Sequence, residues 1–466
     1  MRNVVLLCLD TVRKDYFDKH APRVRERADL DFAQCRAASS WSVPSHASMF
    51  TGKLAHEHGI HTHNRDFSGL SHDDTFLGDL PDHRGLGASA NVWAGSSFGF
   101  DNLFDDFSDI SPDRRFPEGI DVAQFGQHCD QTGIRRQAAF VRAALAHEHP
   151  LASLANGAIV QLDDWFDRLP VANPFDDGAS IIAREARSQV SRSEEPFALF
   201  ANFMDAHGPL SHVQGYDESL HDAPLSWTSE MVNMSGAVDG GDRIELDRYT
   251  GLYAAAIDYL DRKVCDLVDW LADATERETT VVVTSDHGDE MGTDADGGRW
   301  GHVDSSLSEG LLHVPLLILN APDGWQSIDE SRYVSHLGLR ELLVGLANEK
   351  VPDVTADRIP AERVGHSGSL STVADKRGTD SDRLLRAVYN EERKYVWDSQ
   401  GNQETYRLDH ERPCWQAETD ESLDPDDFAD FFNGSPAGVK RRAADADATP
   451  DVDEATMDRL DDLGYL

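Results

Sequence analysis

Val4–Leu9 is an unbroken apolar run that stops at Asp10. A run this short, with no polar alternation, fits a strand buried on both faces, the pattern of a parallel sheet covered by helices. Phe197–Phe203 repeats it and leads into Asp205-Ala206-His207. Thr279–Val283 is β-branched and leads into Asp286-His287-Gly288, and Val314–Leu319 is a further candidate strand. Ahead of Thr279, the residues Tyr249, Tyr253, Ala256, Leu260, Val264, Leu267 and Leu271 recur at helical spacing. Strands alternating with helices predict an α/β fold on a large, mostly parallel sheet flanked by helices. Ligands of such sheets bind outside the carboxyl ends of the strands. Three of these strands carry Asp or His there.

The rest of the chain is read more coarsely. Helical patches are expected around Gly133–His149 and Gly178–Ser191, and an irregular loop over 211–245. Past about residue 365, Leu385–Tyr389 and Lys394–Trp397 alternate, and Ser399-Gln400-Gly401-Asn402 is a turn signal between candidate strands. This predicts a small C-terminal antiparallel sheet. Residues 440–455 read as a loose acidic linker and Ala455–Leu463 as a terminal helix. The expected division is an α/β domain over 1–365 and a subdomain over 366–466.

The chain has 84 acidic and 43 basic residues, a net charge of −41 spread over its length. Such even coverage is a solvation device adapted to high salt, where self-repulsion is screened. It makes nucleic acid and anionic membranes poor partners. The five cysteines are scattered and form no C-x-x-C pair, so neither a disulfide framework nor a zinc site is expected. The first apolar run is too short for a signal peptide, and no stretch reaches the length of a membrane span. A cytoplasmic protein is expected.

The chemistry concentrates in Ser42-Val43-Pro44-Ser45-His46, followed by Thr51-Gly52. Pro44 suits a first helical turn and Gly52 a helix stop. Trp41 and Ser42 are expected to end an extended stretch, so that the Ser42 hydroxyl faces unpaired N–H groups at a helix N-terminus, a place that favours an anion. Asp10 and Asp286-His287 are metal-ligand types at separate strand ends. Oxygen donors with one imidazole suit Ca²⁺ first, with Mg²⁺, Mn²⁺ or Zn²⁺ as alternatives. His207 and His302 are candidate proton donors. The histidine-rich stretch His56–His63 is read as a loop after the nucleophile helix rather than a second metal site.

Taken in order, these motifs resemble the sulfatases of the alkaline phosphatase superfamily, in a salt-adapted, haloarchaeal-type form. Asn3–Arg13 resembles the first strand and first metal ligand. Ser42–Gly52 resembles the C/S-x-P-S-R signature, Asp205-Ala206-His207-Gly208-Pro209 the D-x-H-x-P segment, and Thr284–Gly288 the second metal motif. Gly301-His302 with Glu309–Pro315, and the ending Leu463–Leu466, also resemble family segments. The resemblance implies a catalytic domain over 1–365. It also implies a metal site of Asp10, Thr11, Ser42, Asp286 and His287, with Ser42, His207 and His302 catalytic and His46, Asn64 and Asn91 binding substrate. Three positions depart from the pattern. His46 stands where the family has Arg, Thr11 where it has a second acid, and His287 where Asn is usual.

The resemblance implies cleavage of a small-molecule or glycan sulfate ester through a formylglycine derived from Ser42. An unmodified Ser42 tilts instead toward phosphate or phosphonate esters, because a seryl phosphate turns over more readily than a seryl sulfate. A non-catalytic relative that binds anionic glycans is the third reading.

Overall fold

The computed structural model describes the chain apart from residues 167–168, 170, 195, 303–304, 368–381, 423, 446–451 and 464–466. The first apolar run forms the strand Asn3–Leu9, with every side chain buried. It lies at the centre of a seven-stranded sheet ordered Leu30–Asp31, Leu316–Leu319, Thr279–Thr284, Asn3–Leu9, Phe197–Phe203, Arg84–Ser89, Asp106–Asp109. From Thr279–Thr284 to Asp106–Asp109 the pairing is parallel. Leu316–Leu319 runs antiparallel, and Leu30–Asp31 antiparallel to it. The chain leaves Thr284 at the carboxyl edge, builds the 285–315 segment there, and re-enters the sheet from the same edge.

Alternation along the central strand divides it between two cores. Val4, Leu6 and Cys8 share one with Val43, Ala47 and Phe50 of the helix Ser42–Thr51. Val5, Leu7 and Leu9 share the other with Tyr253, Ile257 and Leu260 of the helix Arg243–Ala274. At roughly 1.5–3 kcal/mol per fully buried aliphatic side chain, this strand alone contributes on the order of 10 kcal/mol. The register sets Cys8 opposite both Asn202 and Thr284, and Asn202 opposite Ser89. Asp10, Asn91, Asn202 and Asp286 therefore emerge side by side at one sheet edge.

A five-stranded antiparallel sheet follows: Arg358–Val364, Leu384–Asn390, Arg393–Asp398, Gln403–Leu408 and Gln416–Thr419. Its first strand precedes residue 365, and its Ile359, Ala361 and Ala387 join the core beneath the Ser42 helix. The Ser399–Asn402 turn forms as expected, with Asp398 Oδ1 accepting from the N–H groups of Gln400 and Asn402.

The loose linker expected from 440 is corrected over its first residues. Pro436–Asp445 is helical, because Val439 and Ala443 bury against Val364 and Leu384. A terminal helix spans Glu454–Asp462. Of the Leu463–Leu466 ending, 464–466 lie outside the described residues. The middle of the chain contains Ile134–Ala146 and Ala179–Arg192 near the expected patches, and also Pro150–Phe166. A short helix, Met234–Gly240, interrupts the 211–245 loop.

Candidate active site

The helix after the first strands runs from Ser42 to Thr51, with all ten residues buried. Its N-cap is Trp41, in extended conformation (φ −165°, ψ 164°). The extended stretch therefore ends one residue earlier than expected, and Ser42 is the first helical residue. Pro44 sits in the first turn, where its missing N–H removes no intrahelical bond. Gly52 stops the helix in the left-handed region at φ 69°, its N–H bonded to the Ser48 carbonyl. Ser45 Oγ is spent on the Ser39 carbonyl. Ser42 Oγ instead lies 3.2 Å from His287 Nε2 and accepts from Asn91 Nδ2 at 3.1 Å.

Asp10, Asp286 and His287 are fully buried, and one ligand atom of each falls within 4.8 Å of the others. Thr11, at φ 59°, turns the chain just after Asp10. Its N–H donates to Asp286 Oδ1 (3.3 Å) and its hydroxyl to the Asp10 carbonyl (2.7 Å). Asp10 Oδ2 accepts from Asn91 at 2.6 Å and from Asn202 at 3.5 Å. Among the described residues Asp10 Oδ1 and Asp286 Oδ2 are buried without a hydrogen-bond partner. Such oxygens are costly to bury. Burial, and then the Asp286 charge, push the Asp10 carboxyl above its ordinary range, and burial does the same to Asp286. His287 Nδ1 donates to the Gly288 carbonyl (2.7 Å), which turns Nε2 toward Ser42. Burial, and then His302, pull this imidazole down to about 3, so its ligand nitrogen stays unprotonated. Two carboxylates with unpartnered oxygens and a neutral imidazole fit a hard divalent cation. Gly288 packs too closely for any side chain, since a Cβ there would stand 2.1 Å from the Gly310 carbonyl oxygen.

The other histidines stand behind and beside this cluster. The His302 ring lies 4.7 Å from that of His287 and 5.1 Å from that of His207. His302 Nδ1 bonds Asp289 Oδ1 at 3.0 Å, and Asp289, pushed up to about 6 by burial, also accepts from Tyr249. His207 Nδ1 donates to the Gly208 carbonyl. His46 is completely buried; Nδ1 donates to the Ser42 carbonyl at 2.8 Å and Nε2 accepts from Asn202 at 2.9 Å. Asn64 engages its own loop, donating to the Gly59 carbonyl and accepting from the Asp66 N–H.

The profile of the family described as Sulfatase matches residues 2–348. The chain belongs to the sulfatase family. Over 191 residues it is 26% identical to a choline-sulfatase of Rhizobium meliloti (strain 1021), a match covering 36% of this chain and 35% of that protein. The matched stretch spans about a third of the curated relatives. In fold, the sulfatase-family chain is similar to a phosphonate monoester hydrolase of Agrobacterium radiobacter (TM-score 0.59, 16% identity, 96% of this chain and 94% of that one). It is also similar to a putative sulfatase from Bacteroides thetaiotaomicron (TM-score 0.57, 13% identity, 98% and 96%). No helix among the described residues is long and apolar enough to cross a membrane.

Three further residues of this sulfatase-family site were not picked out from sequence. Asn202 bridges Asp10 and His46, and it is the lone polar side chain in the run Phe197–Phe203. Asp289 follows the Asp-His-Gly motif directly. Arg363, fully buried, binds Ser40 Oγ (2.9 Å), the His302 carbonyl (3.2 Å) and Ser367 Oγ (2.9 Å). It ties the loop before the Ser42 helix to the His302 loop and to the C-terminal sheet. No local pattern marks it, because its partners are distant in sequence.

Proposed function

We propose that this sulfatase-family hydrolase cleaves sulfate esters in a metal-dependent reaction, with Ser42 supplying the nucleophile. The observation that carries the reading is the placement of Ser42 Oγ. It lies at the start of a buried helix, bonded to Asn91 and His287, next to two carboxylates with unpartnered oxygens. Asp10, Asp286 and His287 would hold a divalent cation, Ca²⁺ first, which would supply Lewis acidity and favour the ionised nucleophile. Oxidation of Ser42 to formylglycine by a separate modifying enzyme, which must supply the two-electron oxidant, would give a hydrated aldehyde whose second hydroxyl lets sulfate depart and restores the aldehyde.

The remaining work falls to side chains and backbone. The Ser42 helix directs its first N–H groups toward the anion. Asn91 orients the nucleophile against Asp10. His207 and His302, whose rings lie 5.1 Å apart beside His287, are assigned the transfer of a proton to the leaving alcohol. His46 and Asn202 hold the helix start against Asp10. Substrates are small or glycan sulfate esters.

A second reading, phosphate or phosphonate ester hydrolysis by an unmodified serine, is favoured by one local feature. Where the family has an Arg, this chain has His46, with both ring nitrogens taken up by Ser42 and Asn202. The mass of the peptide containing Ser42 separates the two, since aldehyde formation removes two hydrogens, about two mass units. Relative turnover of nitrophenyl sulfate and nitrophenyl phosphate must agree with it. Asp286→Ala should lose both bound cation and activity while keeping its circular dichroism. Stoichiometric cation in that variant would remove the metal assignment.

A further inference from the structure

We infer that the helical pair Ile134–Ala146 and Pro150–Phe166 is a self-association surface, through which two copies of this chain join as a four-helix bundle. The inner faces of the pair are spoken for. Asn156 holds the backbone of Phe116 and Ile120, Ser153 Oγ accepts from the Ile120 N–H, and Phe140 packs so tightly on Gly157 that a Cβ there would stand 2.2 Å from its ring. The outer faces carry a second set of apolar residues. Ile134, Ala138, Val141 and Leu145 recur at intervals of four, three and four, and Leu151, Ala155, Ala158, Leu162 and Trp165 at four, three, four and three. These are the intervals of a coiled-coil seam, in which side chains of one helix enter holes on another. Each helix therefore has a second, outward apolar stripe beyond the face it turns to the rest of the chain, more apolar surface than a solvent-facing helix needs.

The outer stripes are open. Ile134 is 84% exposed, Leu151 82% and Trp165 56%. With Val141, Leu145 and Leu162 they present on the order of 700 Å² of apolar side chain, more than the few hundred Å² a monomer usually exposes. That is close to the roughly 800 Å² per partner of a stable interface.

Charge selects the occupant. From Ile134 to Phe166 three arginines (Arg135, Arg136, Arg142) balance three carboxylates (Glu148, Asp163, Asp164), in a chain of net charge −41. This charge-balanced segment lets two such acidic chains approach with less repulsion than the rest of their surface, and the arginines can face the partner's carboxylates. A flat anionic lipid surface meets the same three arginines but also repels the rest of the chain. Two antiparallel helices with heptad stripes match a second identical pair, as in bundles assembled from helical hairpins.

The test is the mass of the full chain by sedimentation velocity at micromolar concentration in molar potassium chloride. The expected result is a particle of two chains. Leu145→Glu/Leu162→Glu should sediment as one chain, a halving of mass, with unchanged circular dichroism because both positions are exposed. Ile134→Lys/Leu151→Lys should do the same. Met231→Glu, at an exposed methionine elsewhere, should leave the two-chain particle intact. A one-chain wild type would overturn the inference, as would a two-chain particle that survives both double substitutions. A one-chain wild type that floats with phosphatidylglycerol vesicles would assign the face to lipid instead.

Discussion

Asn91→Asp probes the site with a change of little more than one atom. Asn91 is buried and serves four groups. Nδ2 donates to Asp10 Oδ2 at 2.6 Å and to Ser42 Oγ at 3.1 Å, while Oδ1 accepts from the N–H groups of Trp93 (2.8 Å) and Ala94 (3.3 Å). Aspartate keeps the acceptor side and places a carboxylate oxygen against Asp10. Two unit charges at that separation repel by about 6 kcal/mol at an effective dielectric constant of 20. Protonating one carboxyl near neutral pH relieves the repulsion at a cost of about 4 kcal/mol. A loss of roughly 3–5 kcal/mol follows in chelator, a large part of the stability of a typical domain. Millimolar Ca²⁺ should recover much of it, because a third carboxylate then faces a cation rather than two anions. The assay is thermal unfolding of wild type and variant in EDTA and in calcium. Equal melting temperatures in EDTA, or a gap that calcium leaves unchanged, would refute the reasoning.

Acid should destabilise the chain through His61. Its ring is buried, its Nδ1 accepts from the His63 N–H at 3.2 Å, and burial followed by the His63 charge pulls it down to about 4. An unfolded histidine titrates near 6.5. The unfolded state therefore binds the extra proton between about pH 6.5 and 4, and stability falls across that window by on the order of 1 kcal/mol per pH unit, with no contribution above it. His61→Asn should lower that slope in urea unfolding between neutral and mildly acidic pH by about one group's share, on the order of 1 kcal/mol per pH unit, the other buried histidines such as His287 keeping theirs, and an unchanged slope would contradict the assignment. The net charge of −41 predicts that the melting temperature rises between low and molar potassium chloride as carboxylate repulsion is screened. A flat or falling trend would count against it.

The sheet was legible because its central strands are apolar on both faces, so Val4–Leu9 and Thr279–Val283 announce themselves without a partner. Asp10 and Asp286 were legible for the same reason, as the first acids after those runs. The start of the Ser42 helix was misplaced by one residue because Trp41, with no capping side chain, is the N-cap. Pro150–Phe166 shows no single helical period, because its apolar residues are spread around the helix. The helix over 440–445 is hidden when 440–455 is read as one stretch, because the acids and Pro450 of its later part mask Lys440, Arg441 and Arg442, although Val439 and Ala443 are buried. Within His56–His63, His56 bonds Glu362 of the C-terminal sheet and His63 bonds Asp382, just before its strand Leu384–Asn390, both more than three hundred residues away in sequence. Arg363 belongs to the same class: its role is decided by pairing that no local window contains.

The claim that Ser42 performs the chemistry is tested most directly by Ser42→Ala, assayed on nitrophenyl sulfate and nitrophenyl phosphate in the presence of Ca²⁺. Ser45→Ala serves as the control, since Ser45 Oγ is occupied by the Ser39 carbonyl. The expected result is turnover of at least one ester by wild type, a modest loss in Ser45→Ala, and no turnover of either ester in a folded Ser42→Ala. Full activity of Ser42→Ala on the ester that wild type cleaves would contradict the account.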